Sequence, residues 1–188
     1  MGMISLMGGL SLARMMPILE VSGASFLREI DSIVAACGAS ERISQAQAVD
    51  VLRGMRSIIG PLEDSFTPDY FQATAAGVAI IVATEGEAAG VGEFRMRSSI
   101  GNFWDSCDDL LHSDGGYSRM EFQGIKSTLR GVEDIWQDGD SRIISASAND
   151  PIPAFVERLS LIRANYPRRR RIARVFAECA GWDIPVVK

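Results

Sequence analysis

The side chains best suited to covalent or acid–base catalysis are few in this sequence and far apart. His112 is the one histidine, and the three cysteines, Cys37, Cys107 and Cys179, form no CxxC pair. A catalytic dyad needs a base beside its nucleophile. Cys107 precedes His112 by five positions, a spacing that places the two side chains on different sides of a helix. We therefore expect free, buried thiols in a cytoplasmic protein without disulfides or a zinc site.

Sequence motifs of the common enzyme classes are missing as well. The chain has no GxSxG, HExxH or Walker A motif, and Gly86, Gly90 and Gly92 do not follow the GxGxxG spacing of a dinucleotide-binding loop. Adjacent Asp108 and Asp109 would point in divergent directions on a helix, which favours a solvated face over a paired-carboxylate site. We expect a protein that is not an enzyme and that needs no cofactor.

Anion binding is the chemistry that the sequence supports best. Residues 157–174 carry seven arginines and one acid, Glu157. Guanidinium groups bind phosphate and carboxylate oxygens in a bidentate manner, and four of these arginines stand at a helix start, where the helix dipole disfavours cations. Such a run is stable in solvent or against an anionic partner, and both alternatives stay open. The candidate contact residues are Arg168, Arg169, Arg170, Arg171 and Arg174.

An acidic block complements these arginines. Residues 103–140 carry nine acids and three bases, a net charge of -6, whereas residues 157–174 carry +6. The anionic partner is either nucleic-acid phosphate or the acidic face of a second copy of the chain. A head-to-tail contact between copies would close a ring or grow a filament. Because the whole chain has a net charge of -5, it is not expected to coat nucleic acid uniformly.

Helices must position these side chains, because apolar residues recur at three- and four-residue steps along most of the chain. The stripes predict an all-α, compact bundle of about seven helices with a short extended C-terminal tail. Segment 77–84, GVAIIVAT, fits a buried strand or a buried helix, and we favour a helix followed by a flexible joint. A turn is expected at Asp138–Gly139–Asp140. The predicted helices cover residues 23–37, 44–59, 96–111 and 118–136, and others begin at Thr67, at Pro151 and after Tyr166–Pro167.

The N-terminal segment is apolar and carries no charge before Arg14. It lacks the basic start of a secretory signal, and Arg14 interrupts a run too short to span a bilayer, so membrane contact is not expected. We interpret residues 1–22 as an apolar arm that is buried or covered by a partner. Residues 23–150 would form the helical core, and residues 151–188 a C-terminal helical pair with the basic patch and the tail.

A tight turn within residues 110–122, LLHSDGGYSRMEF, has part of the pattern of a calcium-binding loop. Counted from the first leucine, Asp114, Gly115 and Glu121 occupy loop positions 5, 6 and 12, but positions 1 and 3 lack carboxylates. The residues also fit a structural turn in which Ser118 caps the next helix and Glu121 completes a capping box. A weak divalent-metal site at Asp114 and Glu121 is the alternative.

The same turn carries a family resemblance. The segments LRGM, residues 52–55, and LRGV, residues 129–132, follow two turns 74 positions apart, which indicates a duplicated helix–turn–helix unit. With SDGGYSRMEF as the better turn and GASERISQAQA as the poorer one, residues 25–136 resemble the tellurite-resistance TerB-like helical domains. The resemblance implies a duplicated helical fold, divalent metal at acidic turns and a link to stress-response assemblies near membranes. Only Asp114 and Glu121 match the family's acidic positions.

A second resemblance is to the rod-shaped plant-virus coat proteins. It is carried by EFRMRSSIGNFWDSCDDLL, residues 93–111, together with YSRMEF, residues 117–122. It implies a four-helix subunit that stacks around RNA. The chain between the matched parts is too short for that family's inner loop, and the last fifty residues have no counterpart.

Together, these patterns favour a non-enzymatic, self-associating assembly subunit that uses the N-terminal arm and the arginine patch as contact surfaces. A TerB-like adaptor or weak metal-binding module is one alternative, and a coat-type protein that binds RNA phosphate is another. We expect a homo-oligomer, with an acidic protein face or nucleic-acid phosphate as the partner of the arginines.

Overall fold

The computed structural model describes residues 2–39, 41, 46, 49–51, 53, 67–84, 91–122, 128–147 and 149–183. Within these residues every regular element is a helix, which confirms the predicted all-α bundle. Eight helices have described bounds, and residues 46, 49–51 and 53 are helical too. In chain order the eight are α1 (Met3–Val21), α2 (Leu27–Gly38), α3 (Pro68–Thr84), α4 (Val91–Ser113), α5 (Gly116–Phe122), α6 (Leu129–Ala146), α7 (Ile152–Ala164) and α8 (Tyr166–Cys179).

Helix α1 lies at the centre of the bundle and is surrounded by the other helices. It contacts α2, α3, α4, α6, α7 and α8, and 16 of its 19 residues are buried. A helix that is apolar on all sides is stable only when it is covered on all sides. Of the two alternatives for the N-terminal segment, burial within the chain is the one that the structure shows. Residues 3–21 are therefore a core helix and not a protruding arm.

The same helix has the length and apolar composition that would allow it to cross a membrane, and it is the one such helix among the described residues. In this fold, 89% of its apolar window is buried inside the protein. Its apolar surface is thus used here for packing against neighbouring helices.

Gly8 allows α3 and α4 to approach α1 closely. A Cβ atom at Gly8 would overlap the side chain of Val82 in α3 and would lie 2.8 Å from the sulfur of Met96 in α4. Gly77 in α3 offers a contrast, because no heavy atom lies within 4 Å of the position that its Cβ would take. Gly8 is therefore closely packed, whereas Gly77 has free space where a side chain would lie.

The substitutions Gly8→Ala and Gly77→Ala are therefore expected to have unequal effects. Both gain helix propensity, worth about 1 kcal/mol, but only alanine at position 8 must displace Val82, at a cost of about 1–3 kcal/mol. We expect G77A to raise the free energy of unfolding by ~1 kcal/mol and G8A to lie about 1–3 kcal/mol below G77A in urea unfolding. Equal effects would contradict the close packing of α1 on α3.

Most of the predicted helices are confirmed. Helices α2, α4, α7 and α8 lie where the apolar stripes predict them, and α3 begins at Pro68 as expected. The single helix expected over residues 118–136 is wrong, because Thr128 lies outside a helix and α6 begins at Leu129. Segment 77–84 is the C-terminal part of α3, so it is a helix and not a strand. Gly181, with φ of 65°, follows the last helix, in the left-handed conformation that glycine adopts most easily.

The turn expected at Asp138–Gly139–Asp140 is wrong, because all three residues lie inside α6. Asp140 is fully buried, and its two oxygens bind Arg14 and Arg158 at 2.6 Å each. These ion pairs form only if the helix continues through the segment. They outweigh the local turn preference of the Asp-Gly-Asp sequence.

Some expectations fall on residues outside the described part of the chain. These are most of the helix predicted over residues 44–59, the first-copy turn at residues 42–45, the joint at residues 85–90 and the tail from residue 184 onward. The predicted duplication depends on the first-copy turn, so it stays a prediction.

Candidate functional site

The five candidate arginines all lie on α8, and the structure divides them into two groups. Arg168, Arg171 and Arg174 are exposed, and their three-residue spacing places them on one side of the helix. We call these three residues the basic face. Arg169 and Arg170 are half-buried and contact other helices.

Arg170 and Arg169 fasten the start of α8 to the rest of the bundle. Arg170 forms an ion pair of 2.7 Å with Glu20 near the end of α1. Arg169 lies over the ring of Trp136 in α6, with 5.8 Å between its guanidinium carbon and the ring centroid. Burial, and next the positive charge of Arg14, lowers the pKa of Arg169 to about 10. These two arginines therefore serve contacts within the fold.

A buried ion-pair network lies beneath α8, and the sequence analysis missed it. Arg14 of α1 is fully buried and binds Glu133 at 2.7 Å and Asp140 at 2.6 Å, both in α6. Arg158 of α7 binds the other oxygen of Asp140 at 2.6 Å. Burial alone would lower the pKa of Arg14, but the charges and hydrogen bonds of both carboxylates raise it above its usual value. The available signal was a lone arginine in an otherwise uncharged apolar segment.

The network changes the interpretation of the acidic block. Glu133 and Asp140 belong to the core, while Asp105 and Asp134 form ion pairs with Arg130 at 3.2 and 2.9 Å. Residues 103–140 therefore do not present one continuous acidic face, contrary to expectation.

A smaller acidic surface remains at the junction of α4 and α5. Asp109, Asp114 and Glu121 are exposed, and none of them forms an ion pair with the described residues. We call these three residues the acidic turn. Gly115, with φ of 66°, makes the tight bend there, as predicted. Ser118 lies inside α5 and not at its start, so the capping box that we expected is not formed.

The divalent-metal site proposed at Asp114 and Glu121 stays a prediction. Within the described ranges, no group of three or more histidine, cysteine, aspartate or glutamate side chains is placed to hold a metal ion. An ion bound by these two carboxylates would take most of its oxygen ligands from water.

Asp108 has a structural role that the sequence analysis assigned to solvent instead. It is half-buried and accepts hydrogen bonds from the backbone N–H groups of Leu129 at 2.7 Å and Arg130 at 2.8 Å. The hydroxyl of Tyr117 also donates to it. A side chain from α4 thus satisfies the free N–H groups at the start of α6, where a negative charge is favourable.

Asp108→Ala is expected to lower the free energy of unfolding by about 2 kcal/mol, because three donors lose a charged acceptor. The matched control is Asp109→Ala at the adjacent position, where the side chain is exposed and the change should stay within about 0.5 kcal/mol. Thermal and urea unfolding of both variants measure the difference. A loss of similar size in both would show that Asp108 does not cap α6.

The three cysteines are free thiols. Cys37 and Cys107 are buried as expected, whereas Cys179 is only half-buried. Burial raises the pKa of Cys37 to about 12 and raises that of Cys107 well above its usual value. These two thiols are poor nucleophiles because the thiolate is the reactive form. His112 is exposed near the end of α4 and has no hydrogen bond or ion pair to the described residues.

Comparison with known proteins gives no relative from which a role for these residues could be inferred. No protein-family model, no curated protein and no solved structure matches the chain. The TerB-like and coat-protein resemblances rest on their quoted motifs, and the function has to be argued from the charged surfaces of this chain.

Proposed function

We propose that this chain is a non-enzymatic assembly subunit whose copies associate head to tail, the basic face of one copy contacting the acidic turn of the next. The observation that supports this is the pair of exposed, oppositely charged surfaces on one molecule. Arg171 and Arg174 have no carboxylate partner among the described residues, and Asp114 and Glu121 are likewise exposed. The N-terminal segment takes no part in this contact, because α1 is buried.

The basic face lies on α8 itself, whereas the acidic turn lies near the C-terminal end of that helix. The end of α8 packs against α5, where a nitrogen of Arg119 lies 3.6 Å from the sulfur of Cys179. Burial and, to a smaller extent, the negative charge of Asp114 raise the pKa of Cys179, so the acidic turn is close to this end of the helix. Arg171 and Arg174 stand eight and five residues before Cys179, about 12 and 7.5 Å along the axis.

This offset weakens the attraction between the two surfaces within one copy. The Debye length at physiological ionic strength is about 8 Å, so axial offsets of about 7.5–12 Å leave much of that attraction screened. A second copy can bring the opposite charges into direct contact. Because the contact joins two different surfaces, repeating it closes a ring or extends a filament.

The expected association is weak and sensitive to salt. Each exposed ion pair contributes about 0.2–1 kcal/mol, so the contact needs several pairs and a high protein concentration. The first measurement is therefore the mass in solution by sedimentation velocity, at low salt, over a series of concentrations. We expect the mass of the wild-type chain to rise above 20.4 kDa with concentration and to return to that value in high salt.

Charge reversal gives the sharper experiment. Arg171→Glu with Arg174→Glu reverses the basic face, and Asp114→Arg with Glu121→Arg reverses the acidic turn. Each double variant should stay monomeric alone, because its two surfaces then repel. An equimolar mixture of the two should associate again, since their reversed surfaces attract. Arg142→Glu, an exposed position in α6, is the control and should behave like the wild type.

Two results would contradict the proposal. One is a constant mass of 20.4 kDa at every concentration, and the other is unchanged association in both reversed variants. The RNA alternative has its own outcome in the same series: a monomeric wild type that binds a single-stranded RNA oligonucleotide and loses it in the Arg171→Glu, Arg174→Glu variant. That outcome would replace assembly with phosphate binding.

A further inference from the structure

A cavity of about 250 Å³ lies between α1, α4, α6 and α8. Its wall is mainly apolar and includes Ile18, Val132 and Ile172, together with the indole rings of Trp104 and Trp136. This volume equals roughly eight water molecules at about 30 Å³ each. Cavities that are lined by apolar and aromatic side chains and hold a few polar groups are typical of small-molecule sites.

Trp104 contributes its ring, and not its N–H group, to this wall. The residue is only 6% exposed, and its indole nitrogen is buried away from solvent, with no acceptor among the described residues. A ligand in the cavity would therefore contact the ring of Trp104.

The positive and negative charges around the cavity do not balance. Arg14 and Arg158 share the carboxylates of Glu133 and Asp140, so two cations face two anions. Arg169 lines the same cavity and adds a third cation with no ion pair to the described residues. The cluster therefore carries one positive charge too many, and burying an unpaired charge is unfavourable unless an anion accompanies it.

We infer that this cavity is a binding site for a small aromatic carboxylate, whose oxygens accept hydrogen bonds from the guanidinium group of Arg169. The aromatic ring of the ligand packs against the apolar wall and the tryptophan rings. Such a ligand supplies the missing negative charge. The start of α8, which borders the cavity at Asn165 and Arg168, adds the positive end of a helix dipole.

Charge and size narrow the ligand class further. Glu133 also lines the cavity, and its negative charge disfavours a dianion such as a phosphate monoester over a single carboxylate. A cavity of about 150 Å³ in another protein holds one benzene molecule, so a cavity of 250 Å³ has room for a one- or two-ring acid. Planar, bidentate contact with a carboxylate is the geometry that a guanidinium group favours.

This inference does not depend on the proposed assembly. Arg169 is half-buried and contacts the cavity, whereas the basic face is on the exposed side of α8. Reversing Arg171 and Arg174 to glutamate is therefore expected to change the association and to leave the affinity for the ligand unchanged within about twofold.

The test uses 2-naphthoate as the probe and 2-naphthamide, its uncharged counterpart, as the matched control. In calorimetric titrations of the full chain, we expect naphthoate to bind at least tenfold more tightly than naphthamide. 2-Naphthyl phosphate, the dianion, should also bind more weakly than naphthoate. Because Trp104 and Trp136 line the cavity, tryptophan fluorescence should change on binding.

Two variants test the contact with Arg169. Arg169→Gln should weaken naphthoate binding at least tenfold and remove the preference over naphthamide. Arg169→Lys keeps the charge but loses the planar, bidentate geometry, so it should weaken naphthoate binding several-fold and keep the preference over naphthamide. Arg142→Gln, at an exposed position outside the cavity wall, is the control and should bind like the wild type.

Three outcomes would overturn the inference. The first is the absence of naphthoate binding at millimolar concentration, and the second is equal affinity for naphthoate and naphthamide. The third is unchanged naphthoate affinity in both Arg169→Gln and Arg169→Lys. If Arg169→Gln fails to fold, as judged by circular dichroism, the Arg169→Lys result alone supports or overturns the site.

Discussion

Arg14→Met is expected to lower the free energy of unfolding by about 3–5 kcal/mol. Arg14 is 1% exposed and binds Glu133 at 2.7 Å and Asp140 at 2.6 Å. Without it, Asp140 keeps Arg158, but Glu133 loses its cation in the centre of the bundle. The loss is large because a carboxylate that stays buried and unpaired costs far more than the pair itself contributes. Urea unfolding followed by far-UV circular dichroism measures it.

Two controls separate charge burial from the mere loss of a side chain. Arg97→Met removes an arginine that is 44% exposed and paired with Glu93 at 3.0 Å, and it should cost at most about 0.5 kcal/mol. The double variant Arg14→Met, Glu133→Met removes both buried charges and should be more stable than Arg14→Met alone. If the two single losses simply add in the double variant, Glu133 is not the group that Arg14 neutralises.

The network also explains which parts of the fold the sequence could predict. Helices such as α2 and α8 were predictable because each carries its own apolar stripe and is followed by a glycine or a small polar turn. These signals are local, so the chain around them is sufficient to interpret them. The same holds for the bend at Gly115, where φ is 66°.

The position of α1 could not be predicted in this way. A segment that is apolar on all sides has no stripe, so its pattern is the same in a core helix and in a segment covered by a partner. What places α1 at the centre is contact with six other helices, which no local pattern contains. Arg14 was the one indication in the sequence, because a charged residue in a buried apolar helix requires carboxylates from other helices.

Aspartates were the least predictable residues, because their partners are distant along the chain. Asp140 binds Arg14 across 126 positions, and Asp108 caps a helix that begins 21 residues later. By local chemistry alone, Asp138–Gly139–Asp140 favours a turn and Asp108–Asp109 a solvated face. A buried cation in one case and free backbone N–H groups in the other decided the outcome. For the same reason the sequence indicated the arginines of α8 but not which of them stay exposed.

A cluster of aromatic rings is a second set of buried contacts that stabilises the fold. Phe71 of α3 is fully buried and makes edge-to-face contacts with Phe103, Phe176 and Trp182, with ring centroids 5.2–5.3 Å apart. These partners come from α4, from α8 and from the residues that follow α8. One side chain thus joins the middle of the chain to its C-terminal part.

Phe71→Ala is expected to lower the free energy of unfolding by about 3–5 kcal/mol, through lost burial, the cavity left behind and the lost ring contacts. Phe71→Leu fills most of the volume but loses the ring contacts, so it should cost only about 1–2 kcal/mol. Phe94→Ala is the matched control, because Phe94 is 74% exposed and its removal should change the stability by less than about 0.5 kcal/mol. Urea unfolding of the three variants ranks them. If Phe71→Ala were no more harmful than Phe94→Ala, the C-terminal residues would not be packed on α3, and the wall that α8 contributes to the cavity would have to be placed differently.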